Sequence, residues 1–186
     1  MKEKIRQALS RREKRANKAE GSIPAAVLIP IYKISGEYYL ILTKRTEELN
    51  YHKGQISFPG GVHQPEDKTL RSTALRESWE EIGLDPKDVE ILGELDDIVT
   101  ATTNYLVSPF VAAIPYPYRF RVNPREVEEI IEVPIAALLD PGNFREELKL
   151  RHGKLVPHYF YHYKHWVIWG ATAQILKQFL EVVSGV

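Results

Sequence analysis

Residues 54–84 read GQISFPGGVHQPEDKTLRSTALRESWEEIGL. Ile56-Ser57-Phe58 is a short β-like run. Pro59-Gly60-Gly61 reads as a turn, and Val62 to Asp67 as an acidic loop. The pattern predicts a helix from about Thr69 to Ile82, stopped by Gly83 with Pro86 just beyond. On it Glu77, Glu80 and Glu81 stand at i, i+3 and i+4, so at ~100° per residue they share one face. Three like charges there repel by roughly a few tenths of a kcal/mol per pair. A hard divalent cation offsets that repulsion and binds phosphate oxygens at the same time. A solvated acidic helix face is the alternative that the triplet alone leaves open.

The order of the parts narrows the choice. A Gly-Gly pair precedes the helix, Arg76 stands before the first Glu, and Ile82-Gly83-Leu84 closes it. Gly61, Arg76-Glu77, Glu80-Glu81, Gly83 and Leu84 resemble the Nudix box, G-x5-E-x7-R-E-U-x-E-E-x-G-U with U apolar. Gly61 to Arg76 is one residue longer than that pattern, the mid-loop acid is Asp67 rather than Glu, and Ser78 fills an apolar position.

Upstream, Ile23 to Tyr32 is an apolar run with Pro24 and Pro30 placed at the ends of a buried strand. Ser35-Gly36-Glu37 is a turn, and Tyr38 to Thr43 completes a hairpin. Residues 2–20 read as a helix with a thin stripe of Ile5, Ala8 and Leu9, ended by Gly21. Its basic residues, Lys18 among them, suit a solvated face; the alternative is a patch that attracts a phosphorylated substrate. The expected division is residues 1–21 as a basic N-terminal helix and 22–186 as the main domain.

A second resemblance lies between these parts. Leu42-Thr43-Lys44-Arg45-Thr46, Gly54 and Phe58-Pro59-Gly60-Gly61 are similar to the L-L-T-x-R-(S/A)-x3-R-x3-G-x3-F-P-G-G signature of coenzyme A pyrophosphatases within the Nudix superfamily. Thr46 replaces Ser or Ala, and Asn50 stands where an Arg is expected, which removes a bidentate phosphate contact. His52, also in this loop, receives no catalytic role. Near the end, Trp169-Gly170-Ala171-Thr172-Ala173 resembles a W-G-x-T-A element of the same subfamily and opens a last helix, to Val183.

Downstream of the box, Val89 to Leu95 is an expected strand, Asp96 to Asn104 a polar connection, and Leu106 to Pro115 another strand. Phe120 and Val122 look strand-like. Glu126 to Pro134 resembles the element after the core strands of Nudix hydrolases, where some members keep an extra acid, here Glu126. Pro134 to Leu139 starts a short helix. Arg145 to Val156 reads as two strands about His152-Gly153. The aromatic and imidazole run from His158 to Trp169 reads as strand packing with wet polar tips.

The chain has 186 residues, enough for one full core. It is 44% apolar and 27% charged with zero formal net charge, so no global field recruits nucleic acid or an anionic membrane. No apolar run approaches the ~20 residues of a membrane span. With no Cys there is no thiolate chemistry. Cytoplasm is the expected compartment, and a homodimer is open as an assembly.

The resemblance implies an α/β fold, an α/β/α sandwich about a central mixed β-sheet. It implies hydrolysis of a diphosphate linkage with Mg²⁺ or Mn²⁺, held by Glu77, Glu80, Glu81 and the carbonyl of Gly61. One of these acids or Glu126 serves as base, and Arg76 holds the box carboxylates. Gly60 and Gly61 admit close backbone approach. Lys44 and Arg45 are expected to meet the 3′-phosphate of coenzyme A, a small-molecule nucleotide substrate. The alternatives are a broader ADP-ribose or nucleoside diphosphate-sugar hydrolase, and a non-catalytic nucleotide-binding module. The intact acid triplet favours catalysis over the module.

Overall fold

β1 (Ile23–Ile34) is buried through its centre, from Ala25 to Tyr32 with Val27 half-buried, as a strand must be when helices cover both sheet faces. The computed structural model describes residues 1–17, 20–46, 54–151 and 153–185. Asn50, His52, Lys18 and His152 lie outside the described residues. Ahead of β1 stands α1 (Lys2–Arg11); after it come β2 (Glu37–Arg45), β3 (Ile56–Ser57), β4 (Gly60–Val62) and α2 (Leu70–Ile82). The chain continues through β5 (Glu90–Glu94), β6 (Ile98–Val99), β7 (Tyr105–Ala113), β8 (Val127–Pro134) and α3 (Ile135–Leu139). It ends with β9 (Phe144–Arg151), β10 (Lys154–Tyr163), β11 (Trp166–Trp169) and α4 (Gly170–Ser184).

β1 pairs in parallel with β7, from Ile23 opposite Tyr105 to Ile31 opposite Ala113. Its other edge is shared by β4, opposite Ala25 to Val27, and β2, opposite Ile31 to Ile34. β8 extends the sheet beyond β2 and β5 beyond β7, so the sheet is mixed. Pro30 is interior to β1 rather than at its end. The Leu28 N–H points to the β4–β2 side, where it donates to the Pro59 carbonyl at 2.9 Å. Alternation sends position 30 to the same side, into the gap between the β4 and β2 pairings, where a missing N–H breaks no ladder bond.

Two apolar layers sit on the two faces. Ala26, Leu28, Tyr32 and Ile41 pack with Ala74, Ile82 and Leu84 of the α2 layer. Ile29, Ile31, Leu40 and Leu42 pack with Ile5 and Leu9 of α1, with α3, and with Ile175, Leu176 and Phe179 of α4. The antiparallel sheet β9-β10-β11 joins this second layer through Tyr161 and Ile168. The result is the α/β/α sandwich that the resemblance implies.

Four further local expectations are corrected. The first helix ends at Arg11, because Arg12 turns extended. The following residues run along acids of the β5–β6 region: Arg12 pairs with Asp96, and Lys14 with Glu94 and Asp97. Lys2 and Arg6 pair with Glu90. These bases are neutralised locally rather than offered as a phosphate-attracting patch. Second, Gly60-Gly61 is strand, not turn. A Cβ on Gly60 would lie 2.3 Å from the Ala26 carbonyl oxygen, so glycine is there to let two strands touch. Third, Phe120 and Val122 belong to no strand; their segment binds the C-terminus of α2, with Arg121 N–H donating to Ile82 O at 2.9 Å and Asn123 N–H to Glu81 O at 2.8 Å. Fourth, the connection from Asp96 to Asn104 contains β6, which pairs with β7.

Candidate active site

α2 is fixed at both ends. Thr69 accepts from the Ser72 N–H at 3.1 Å, and Ser72 Oγ accepts from the Thr69 N–H at 2.8 Å, a reciprocal capping box. At the other end Gly83 adopts φ 67°, and its N–H donates to Trp79 O at 2.9 Å. Ser78, polar where the pattern asks for an apolar residue, is fully buried and donates its Oγ hydrogen to Ala74 O at 2.7 Å. That internal bond lets a hydroxyl occupy a core position. The two ends set the phase of the helix, and the phase aims Glu77 and Glu81 at the strands.

Arg76 ties this face to the preceding loop. Its Nε and Nη2 donate to the two oxygens of Asp67, both at 2.9 Å, as a fork. Nη2 also donates to Val62 O at 3.1 Å. Nη1 donates to Glu77 Oε1 at 2.7 Å and to Glu80 Oε2 at 3.1 Å. Hydrogen bonding from Arg76 holds the Asp67 carboxyl well below the usual range, and Asp67 in turn keeps Arg76 protonated. Asp67 is therefore the anchor of the arrangement. Sequence reasoning noted it only as a departure from the box pattern; its distance of nine residues from Arg76 gives no periodic signal.

Glu81 is the most deeply placed of the three helix acids, 1% exposed. The Gly60 N–H donates to its Oε2 at 3.2 Å, and Arg45 Nη1 to its Oε1 at 3.4 Å. Burial pushes its pKa up to about 8, against the pull of Arg45 and Gly60. Burial also raises Glu77, opposed by Arg76 and reinforced by the charges of Glu80 and Glu126. Gly61 lies under the Glu77 carboxylate: a Cβ there would meet Glu77 Cδ at 2.5 Å. Glu126 is near enough to raise both Glu77 and Glu81 by charge repulsion. Asn123 Nδ2 holds its Oε1 at 3.0 Å, a partner that sequence reading missed.

The two basic candidates part company. Arg45 joins Glu81, and its Nε is a buried atom with no hydrogen-bond partner. Lys44 instead donates to Glu128 Oε1 at 2.7 Å and lies 5.4 Å from the Trp166 ring centre. A register shift separates the two residues along β8. They thus take different carboxylate partners.

The donor set is all oxygen, which suits Mg²⁺ or Mn²⁺ and not softer metals. Among the described residues no three His, Asp or Glu side chains form a ready coordinating cluster. Arg76 bonds Glu77 and Glu80, and Arg45 bonds Glu81. The repulsion among Glu77, Glu81 and Glu126, with burial added, is the strain that a divalent cation relieves. The residues fit such an ion by chemistry and charge.

Acidic side chains around the buried Glu81, on a mixed-sheet sandwich and beside a glycine strand, suit divalent-cation chemistry on phosphates. A NUDIX domain model matches residues 22–159. The uncharacterized Nudix hydrolase NudL of Photorhabdus laumondii is 39% identical over 160 residues, 86% of this chain and 84% of that protein. Its namesake in Salmonella paratyphi B is 36% identical over 154 residues, 83% of this chain and 79% of that one. Among solved structures, a C. elegans Ap4A hydrolase complex aligns with TM-score 0.58 at 15% identity, covering 88% of this chain and 99% of that one. A Nudix hydrolase from Alicyclobacillus acidocaldarius gives 0.59 at 17% identity, covering 88% and 93%. At those identities the two structures speak for the fold alone. The chain belongs to the Nudix hydrolase family. It is thus an enzyme of the pyrophosphohydrolase type, in a family that generally uses divalent metal ions.

Proposed function

We propose that the protein hydrolyses the diphosphate linkage of coenzyme A or a derivative, giving 3′,5′-ADP and 4′-phosphopantetheine. The observation that carries the hydrolytic part is the convergence of Glu77, Glu81 and Glu126 beside Gly60 and Gly61, with Arg76 bonded to Glu77 and Glu80. The substrate rests on the signature between Leu42 and Gly61 and on Trp169 to Ala173. Two threonines of those segments grip one strand: Thr43 Oγ1 donates to Ser57 O at 3.2 Å, and Thr172 Oγ1 to Ile56 O at 3.0 Å. Residues from both parts of the chain thus position β3, which leads into Phe58-Pro59-Gly60-Gly61.

Glu77, Glu80, Glu81 and the Gly61 carbonyl hold Mg²⁺ or Mn²⁺ in this reading. The cation, when bound, neutralises diphosphate charge and acidifies water. Glu126 takes the proton of the attacking water on Oε2, since Asn123 engages Oε1. Arg76 acts as a positioning residue, fixed by Asp67. Arg45, beside Glu81, faces the diphosphate rather than the 3′-phosphate.

A panel of coenzyme A, ADP-ribose and NADH, with Mg²⁺ and with Mn²⁺ and products resolved by chromatography, tests the substrate. Coenzyme A is expected to show at least tenfold higher kcat/KM, about 1.4 kcal/mol of discrimination. Equal values across the panel support the broader ADP-compound reading instead.

A further inference from the structure

β8 begins directly after Glu126 and has one strand partner. β2 pairs along one side; among the described residues no strand pairs with the other. In an antiparallel pair alternate residues direct their N–H and C=O groups away from the partner. The outer edge of β8 therefore presents a row of backbone donors and acceptors. Part of that edge faces a groove. Residues 129–132 line this groove of about 450 Å³ together with Phe120, Tyr163, Lys164, His165 and Trp166. Small-molecule sites run from about 300 to 1,000 Å³.

The charge of the groove decides which part of a nucleotide derivative fits. Two carboxylates, Glu129 and Glu132, line it against one ammonium, Lys164, so the acids outnumber the lysine. Carboxylates at an edge repel a phosphate, so the phosphorylated half of a substrate is disfavoured there. A neutral, extended chain that carries its own amides is favoured. It can pair with the edge as an added strand does, while the aromatic walls cover its methylenes. A strand rises about 3.3 Å per residue, so residues 129–132 lie about 10–20 Å along β8 from Glu126. That is the reach of a chain leading away from the cleaved linkage.

We propose that the outer edge of β8 receives the amide-bearing arm of the substrate, a pantetheine-type chain whose two secondary amides pair with residues 129–132. The assignment rests on the coenzyme A reading above and adds where its neutral half is held. It also makes Phe120 and Trp166 determinants of specificity.

Hydrogen–deuterium exchange on the full chain, without metal, tests the groove apart from catalysis. With saturating pantetheine, amides in residues 129–132 are expected to exchange at least threefold more slowly; 3′,5′-ADP is expected to leave them unchanged. In kinetics, Phe120→Ala is expected to raise KM for coenzyme A at least tenfold more than it raises KM for ADP-ribose. Absence of protection while coenzyme A is cleaved overturns the groove assignment and leaves the substrate reading standing. Protection by pantetheine without preferential cleavage of coenzyme A upholds the groove and overturns the substrate reading. Protection by 3′,5′-ADP, or by an extended peptide but not by pantetheine, overturns the assignment.

Discussion

Glu81 is a carboxylate placed where water cannot solvate it, and its environment makes two opposite demands. As a free acid it ionises near 4.5; in the fold, near 8. The folded state holds the proton longer, so the stability from this group is full at acid pH and is lost as pH rises from about 4.5 towards 8. Metal-free Glu81→Gln has no such loss. Its Tm, relative to wild type, is expected to rise between pH 5 and pH 8 by at least about 2–4 °C, the shift that ~1 kcal/mol gives in a chain of this size. A difference independent of pH would show that the carboxylate is not strained. The same substitution should damage catalysis. Glu77→Gln, Glu80→Gln and Glu81→Gln are each expected to keep the fold by circular dichroism and to lower kcat by about a hundredfold or more. Wild-type turnover in any two of them removes the metal assignment.

At the scale of elements, α2 and β4 together make the site, and they separate stability from function. Thr69→Ala removes the helix cap and is expected to cost about 1 kcal/mol in chemical denaturation with little change in kcat. Gly61→Ala should do the reverse. Its Cβ meets the Glu77 carboxylate, so kcat is expected to fall more than tenfold with a small change in Tm. Equal effects on both properties in both variants would refute the division. These two elements also show what could be read in advance. The helix boundaries were legible because Thr69 and Gly83 carry local chemistry that acts within one turn. The shared face of Glu77, Glu80 and Glu81 was legible from spacing. β4 was not, because Gly60-Gly61 has the composition of a turn and becomes strand only through Ala26 and Val27, remote in the chain. The anchors Asp67 and Asn123 were hidden for the same reason: each bonds a residue that the fold, not periodicity, brings near.

Across the whole molecule, zero net charge conceals local sorting of sign. Lys2, Arg6, Arg12 and Lys14 pair with Glu90, Glu94, Asp96 and Asp97. Exposed pairs of this kind contribute about 0–1 kcal/mol each. Arg12→Ala and Lys14→Ala are therefore expected to leave KM for coenzyme A within twofold; a tenfold rise would restore the substrate-attracting role that the sequence alone allowed. The sandwich itself was legible through the resemblance that the box carries, whereas the groove lined by β8 and the β10–β11 turn depends on the approach of distant segments. No helix among the described residues is long and apolar enough to cross a membrane. The central claim is that the oxygen ligands of α2 make diphosphate hydrolysis depend on a hard divalent cation. The most direct measurement is turnover of coenzyme A after exhaustive chelation with EDTA, followed by titration of Mg²⁺ or Mn²⁺. The account predicts no turnover in EDTA and full recovery with either ion, releasing 3′,5′-ADP and 4′-phosphopantetheine in equal amounts. Undiminished activity in the chelated enzyme would contradict it.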